Sequence, residues 1–226
     1  MLSTQVAPSG VTGHSNSGFL MGAFYSGYRQ LYWDQYQCSR TGLAHFSMNE
    51  WHHVAVLRSS GNMYIFLDGE IDVDVDDDCT TAINTQEKSL VIGSHSNGDN
   101  PFRGFIDELR ISKGIARWDA DTTTPFVVPG MVPTLPPTPF PTLATGPYLA
   151  DEVTHLLMHF DGENGSTDFA DDSDLGHEAS VVGGVAVTTV RKKHGSGSPV
   201  QILQSPLFRL SAAHFTATAS TLILAE

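Results

Sequence analysis

WHHVAVLRSSGNMYIFLDGEIDVDV, residues 51–75, holds three short apolar runs separated by two turn signals. WHHVAVLR (51–58) and MYIFL (63–67) are rich in β-branched and aromatic residues and flank Ser-Ser-Gly-Asn. That composition reads as two strands joined by a turn. Asp68-Gly69 then predicts a two-residue hairpin, because both residues tolerate positive φ. Beyond it Ile71, Val73 and Val75 alternate with Glu70, Asp72 and Asp74. A period of two is the pattern of a half-buried strand, so the apolar side chains are expected to seal a core while the carboxylates stay wet. Working outward, SLVIGS (89–94), FRGFIDELRIS (102–112), VTHLLMHFDG (153–162) and ASVVGGVAVTTV (179–190) continue the series. No stretch sustains a helical period. Many short strands with frequent turns predict an all-β fold, an antiparallel sandwich.

The chain has 226 residues, 40% hydrophobic and 16% charged, which is enough for a sizeable core and too apolar for wholesale disorder. Its net charge of -13, with 12 Lys+Arg, offers no surface to neutralise phosphates and argues against nucleic acid or anionic membranes as partners. MLSTQVAPSGVTGHS lacks the basic and apolar regions of a signal peptide, and no apolar run approaches the ~18 residues that span a bilayer. Cys38 and Cys79 read either as two buried thiols or as one disulfide.

Eight of the 12 prolines lie in PFVVPGMVPTLPPTPFPTLATGP, residues 125–147. Such a segment cannot pair within a central strand and reads as an extended spacer. At ~3.1 Å per residue it reaches roughly 65–70 Å. The chain therefore divides into 1–124, a linker over 125–148, a second β-type segment over 149–198 and an unassigned tail over 199–226.

WHHVAVLRSSGNMYIFLDGEID followed by SLVIGSHSNGDNPFRGFIDELRISKGIARW resembles the second half of a laminin-G-like, concanavalin A-like jelly roll. The elements that carry the resemblance are Trp51, His53, Val54, Ala55, Asp68, Gly69, Gly104, Ile106, Asp107, Glu108, Leu109, Arg110, Ile111, Ser112 and Trp118. VTHLLMHFDGENGSTDFADDSDLGHEASVVGG resembles the opening of another copy. The type found in tandem in bacteriophage tail proteins and secreted bacterial proteins is the most similar. In that frame the opening strands of the first copy would precede Met1, and PVQILQSPLFRLSAAHFTATASTLILAE does not continue the second. A fragment or a shifted reading frame would account for both. Two partial copies leave unpaired strand edges, which recruit other strands. Either the halves stay independent, or 153–190 folds back and completes the first sandwich, for which the spacer is long enough.

Glu70-Ile71-Asp72-Val73-Asp74 resembles the E-x-D-x-E signature of jelly-roll glycoside hydrolases. A retaining pair needs carboxyls ~5.5 Å apart, whereas four residues of strand span ~13 Å, and Asp74 is shorter than the glutamate of the signature. Catalysis here is the competing reading; no enzyme is the expectation. The family resemblance implies a structural calcium held by Asp161, Asp171, Asp172 and Asp174, with Asp107. Asp and Gly also build turns without any metal. His155 and His159 suit packing better than zinc. In YSGYRQLYWDQYQ (25–37), Tyr32, Trp33 and Tyr36 are the candidates for ligand contact, since aromatic faces stack on sugars; alternate members also suit a core. The resemblance thus implies a non-catalytic module that binds a glycan or another cell-surface ligand, extracellular or part of a virion tail, with a purely structural spacer as the remaining alternative.

Overall fold

The computed structural model describes residues 2–3, 19–23, 29–35, 38–59, 61–75, 90–94, 102–116, 150–188, 200–210 and 220–225. Among them are thirteen strands and no helix, and every strand pairing is antiparallel. The first sheet carries β4 (Cys38–Thr41), β3 (Leu31–Gln35), β2 (Phe19–Ala23), β1 (Leu2–Ser3), β8 (Leu90–Ile92), β12 (Val200–Leu210) and β11 (Ala179–Val187). The second runs β7 (Glu70–Val75), β6 (Asn62–Leu67), β5 (His53–Ser59), β13 (Ser220–Ala225), β9 (Phe105–Lys113) and β10 (Thr154–Met158). The sheets meet where Val200 and Gln201 of β12 pair with Ile106 and Phe105 of β9. The fold is an antiparallel jelly-roll sandwich.

The hairpin signals act locally. Asp68 and Gly69 adopt φ of 54° and 88°, the double left-handed turn that suits the strand twist between β6 and β7. Gly61, with φ of 86°, turns β5 into β6, where Ser59 is registered with Asn62. Alternation then sorts the side chains. Val54, Val56, Met63 and Ile65 face the core between the sheets, while Ala55, Leu57, Tyr64 and Phe66 form a second buried cluster on the other face of the same sheet, joined by Leu157. Both faces of this sheet are therefore apolar at its centre, which explains the nearly unbroken apolar run of β5.

The central core draws on residues from Phe19 to Val187. Phe19, Met21 and Trp33 pack in one cluster with Val54, Ile65, Leu90, Leu109, Leu156, Met158, Phe160, Phe169, Val185 and Val187. Burying each large aliphatic or aromatic side chain stabilises by about 1.5–3 kcal/mol. Residues after the Pro-rich stretch thus share a core with residues before it. Thr154, Leu156, Leu157 and Met158 are registered with Ser112, Ile111, Arg110 and Leu109.

The acidic strand differs from its expected phase. A register shift falls in β7: Leu67 pairs Glu70 and Phe66 pairs Ile71, but Ile65 pairs Val73 and Tyr64 pairs Asp74. Asp72 is the extra residue of a bulge. Ile71 packs on the outer cluster and not on the core between the sheets. Nor is Asp72 wet; it is buried, whereas Glu70 is exposed.

The 199–226 tail had no assignment, and it supplies β12 and β13. Pro206 interrupts its alternation, and it sits where the register with β11 slips between Leu203 and Leu207. Bulges tolerate proline in a sheet. At the same place β12 passes from β9 to β8 as its other neighbour. Cys38 is buried and disulfide-bonded; Cys79, the second cysteine of the sequence, lies outside the described residues.

Candidate functional site

The strand LYWDQ alternates strictly. Leu31, Trp33 and Gln35 are buried, and Tyr32 and Asp34 are half-buried on the opposite face. Trp33 stacks on Phe19 in the core, with centroids 4.9 Å apart and planes within 9°. It cannot reach a ligand from there. Tyr36 lies outside the described residues. Tyr32 occupies the outer face of its sheet. Its ring lies directly over Gly22: a Cβ there would meet Tyr32 Oη at 2.7 Å and two ring carbons at 2.8 Å. Only glycine lets the aromatic approach the neighbouring strand this closely. Around it are Asp34, which accepts a hydrogen bond from the Ser39 hydroxyl, and the exposed Thr41, registered with Tyr32. Burial and the Asp34 charge push the Tyr32 phenol up to about 12. It therefore stays protonated at neutral pH and can donate as well as accept.

The hydrolase-like positions are separated along the strand: Glu70 is registered with Leu67 and Asp74 with Tyr64, three residues apart on β6. Asp72 is a structural group. Its Oδ1 accepts from Leu43 N at 2.8 Å and Ala44 N at 2.5 Å, tying β7 to the loop after β4. Its Oδ2 has no hydrogen-bond partner and presses on Gly42, where a Cβ would come within 1.9 Å.

The loop acids also separate. The Asp171 side chain is buried, and its carboxylate takes five hydrogen bonds. Oδ1 accepts from Leu157 N at 3.0 Å and Ser173 N at 2.9 Å. Oδ2 accepts from Ser173 Oγ at 2.9 Å, His177 N at 2.9 Å and His177 Nδ1 at 2.7 Å. Burial alone would raise its pKa. The three backbone donors and the imidazole outweigh that, and the net shift is downward. A carboxylate offers about four lone-pair sites, so none is left for calcium. Asp161, Asp172 and Asp174 are exposed, and Asp107 is buried in β9. Among the described residues no three His, Cys, Asp or Glu side chains converge as a metal group. The calcium set does not fit this geometry; hydrogen bonds already hold the loop together.

Two further clusters come from residues distant in sequence. His159 Nδ1 lies 2.9 and 2.8 Å from Glu108 Oε1 and Oε2, with Asp172 Oδ2 at 3.9 Å from Nε2. Glu108 has a φ of 54°, which a bulge in β9 against β13 accommodates. The Glu108 hydrogen bond raises the His159 pKa, burial opposes it, and the charges of Glu108, Asp172 and Asp161 add to the rise. The histidine lies 51 residues from Glu108, beyond the reach of any local sequence pattern.

Ser47 Oγ, His52 Nε2 and Asp68 Oδ2 form the second cluster, at 3.0 Å and 2.8 Å. The spacing is that of a nucleophile–base–acid relay. The proton placement is not. The Ser47 hydroxyl donates to Glu50, and His52 Nε2 also faces the Ser47 carbonyl at 3.1 Å. An imidazole that donates there cannot receive the serine proton. Asp68 additionally accepts from His53 N at 2.8 Å. The cluster pins the turn at 47–50 to the β6–β7 hairpin.

Residues 4–119, just over half of the chain, match the family model of the concanavalin A-like lectin/glucanases superfamily, a laminin G domain. No curated protein and no solved structure matches the chain. No helix among the described residues is long and apolar enough to cross a membrane.

Proposed function

The chain belongs to the concanavalin A-like lectin/glucanases superfamily, and on that premise we propose that it is a non-catalytic recognition module binding glycans at the outer face of the first sheet. The observation that carries this reading is the Tyr32 ring packed over Gly22 on the outer face, bordered by Asp34, Ser39 and Thr41. Sugars present apolar C–H faces rimmed by hydroxyls. An aromatic ring beside a carboxylate and two hydroxyl side chains matches both features. Family membership supports ligand binding in general, and the chemistry of this patch supports a glycan as the ligand class. An extracellular or virion-tail setting agrees with such a ligand, and with linked weak sites that gain avidity.

A glycan array with the parent chain and Tyr32→Ala, each with and without chelator, tests the assignment. The expected result is parent-only signal on a set of polysaccharides, unchanged by chelator. Identical profiles for parent and Tyr32→Ala, or no signal from either, would leave a structural spacer as the better reading. Sugar release by the parent that Glu70→Ala abolishes would instead restore the hydrolase reading.

A further inference from the structure

The geometry points to a linear, uncharged glycan chain as the ligand of the Tyr32 face, held through successive sugar units along a row that Gln30 and Leu43 complete. This rests on the Tyr32 reading and carries it beyond the patch around that ring. β3 and β4 pair Asp34 with Ser39 and Tyr32 with Thr41. The ladder continues past the strand ends. Gly42 N donates to Leu31 O at 2.7 Å, the next rung in the same register. Gln30 and Leu43 follow, and Gln30 Nε2 donates to the Leu43 carbonyl at 3.4 Å.

Gly42 fixes which way this extension faces. A Cβ on it would meet Asp72 Oδ2 at 1.9 Å, and Asp72 belongs to β7 of the second sheet. That position therefore points into the sandwich. Neighbours along an extended chain point the opposite way. Thr41 and Leu43, on either side of Gly42, are accordingly both exposed, Leu43 at 76%. The backbone of Leu43 is nonetheless held from two sides. Its N–H donates to Asp72 Oδ1 at 2.8 Å, and its carbonyl accepts from Gln30. A leucine displayed on a fixed backbone has little ordering left to lose when a ligand covers it.

Asp34 with Ser39, Tyr32 with Thr41 and Gln30 with Leu43 thus form one outward row. Four residues of strand separate its ends, about 13 Å. A pyranose ring is comparable in width to the phenol it covers, so the row is longer than one sugar. Its order runs from a carboxylate and a hydroxyl, through the aromatic ring, to an alkyl side chain beside an amide. Linked sugars repeat an apolar C–H face edged by hydroxyls and match that order unit by unit. The Asp34 carboxylate and the net charge of -13 oppose uronate, sulfate and sialate groups. The chain that fits is therefore uncharged.

The test uses the full chain and an array of cello-, manno- and xylo-oligosaccharides of one to six units, beside polygalacturonate and heparin, with hits followed by isothermal titration. Parent, Tyr32→Ala, Leu43→Ala and Gln30→Ala are compared, each first shown to be folded by circular dichroism. The parent should bind a neutral series with an affinity that climbs over the first three units. Leu43→Ala should lose ~10-fold or more on the trisaccharide, the scale of one leucine side chain leaving a contact. Gln30→Ala should flatten the same climb, and Tyr32→Ala should abolish binding at every length. Three results overturn the inference while sensitivity to Tyr32→Ala keeps the Tyr32 reading standing. They are a single sugar bound as tightly as three, a Leu43→Ala chain that equals the parent on the trisaccharide, and a preference for polygalacturonate or heparin. Binding of no neutral glycan, or binding indifferent to Tyr32→Ala, overturns both.

Discussion

At the scale of single residues, burial decides what each carboxylate does. Asp171 and Asp72 sit in acidic stretches that look alike in sequence, yet both have become internal clasps for backbone amides. Removing a group that satisfies several buried donors leaves them unpaired, and Asp171→Ala should lower stability by about 3 kcal/mol. Thermal unfolding of the variant checks this, with chelator expected to leave the parent transition where it is. Because the folded Asp171 pKa lies below its unfolded value, its contribution is present above the ordinary Asp pKa and fades as pH falls through the depressed one. Asp171→Asn should flatten that acid limb. Gly42 is the converse case. A methyl group would collide with Asp72 Oδ2, so Gly42→Ala should cost about 2 kcal/mol. In an Asp72→Ala background that cost should shrink, and a double-mutant cycle reads the coupling.

Among elements, the β9–β10 pair shows how a short clasp fixes a long connection. His159 and Glu108 close its open end, and Lys113 with Val153 closes the other. The Glu108 hydrogen bond raises the folded pKa of His159 above its unfolded value. The clasp is therefore at full strength below the ordinary His pKa of ~6.5 and weakens as pH rises through the raised value. His159→Gln should remove this alkaline-side loss, seen as a flatter dependence of denaturant midpoint on pH between 6 and 8. The β6–β7 turn offers a second check. Gly69 has φ of 88°, a conformation that a β-branched residue resists. Gly69→Val should destabilise by about 1–2 kcal/mol, whereas Glu70→Ala beside it, at an exposed position, should leave the midpoint within experimental error.

Across the whole molecule, one core receives side chains from both sides of the Pro-rich stretch. Cooperative unfolding follows from shared burial. A chain nicked between Pro133 and Pro136 is expected to melt in a single transition, followed by tryptophan fluorescence from Trp33 in the core and by circular dichroism. Two separated transitions would show that the halves stabilise themselves independently. The same architecture is the reason the glycan proposal is placed on the first sheet. The second sheet buries apolar clusters on both of its faces at the centre, which leaves the Tyr32 side as the face with an aromatic and polar groups together.

The strands from 53 to 113 and the Asp68-Gly69 hairpin were legible in sequence because period-two alternation and left-handed turn residues act over two to six positions. The family pattern was legible for the same reason, being a chain of such local signals. The bulge at Asp72 was not, since strict alternation continues through it and only pairing with β6 reveals the slip. Likewise β12 and β13 gave no clear signal: a proline breaks β12, and β13 takes its strand identity from β5 and β9, over a hundred residues away. The site divides in the same way. Which side chains are aromatic or acidic is a property of the chain itself. That Trp33 turns inward while Tyr32 lies on Gly22, and that Asp171 is saturated by amides, depends on which strand edges meet. Hydrogen-bond saturation is a tertiary quantity, because its donors come from residues that only folding brings within 3 Å.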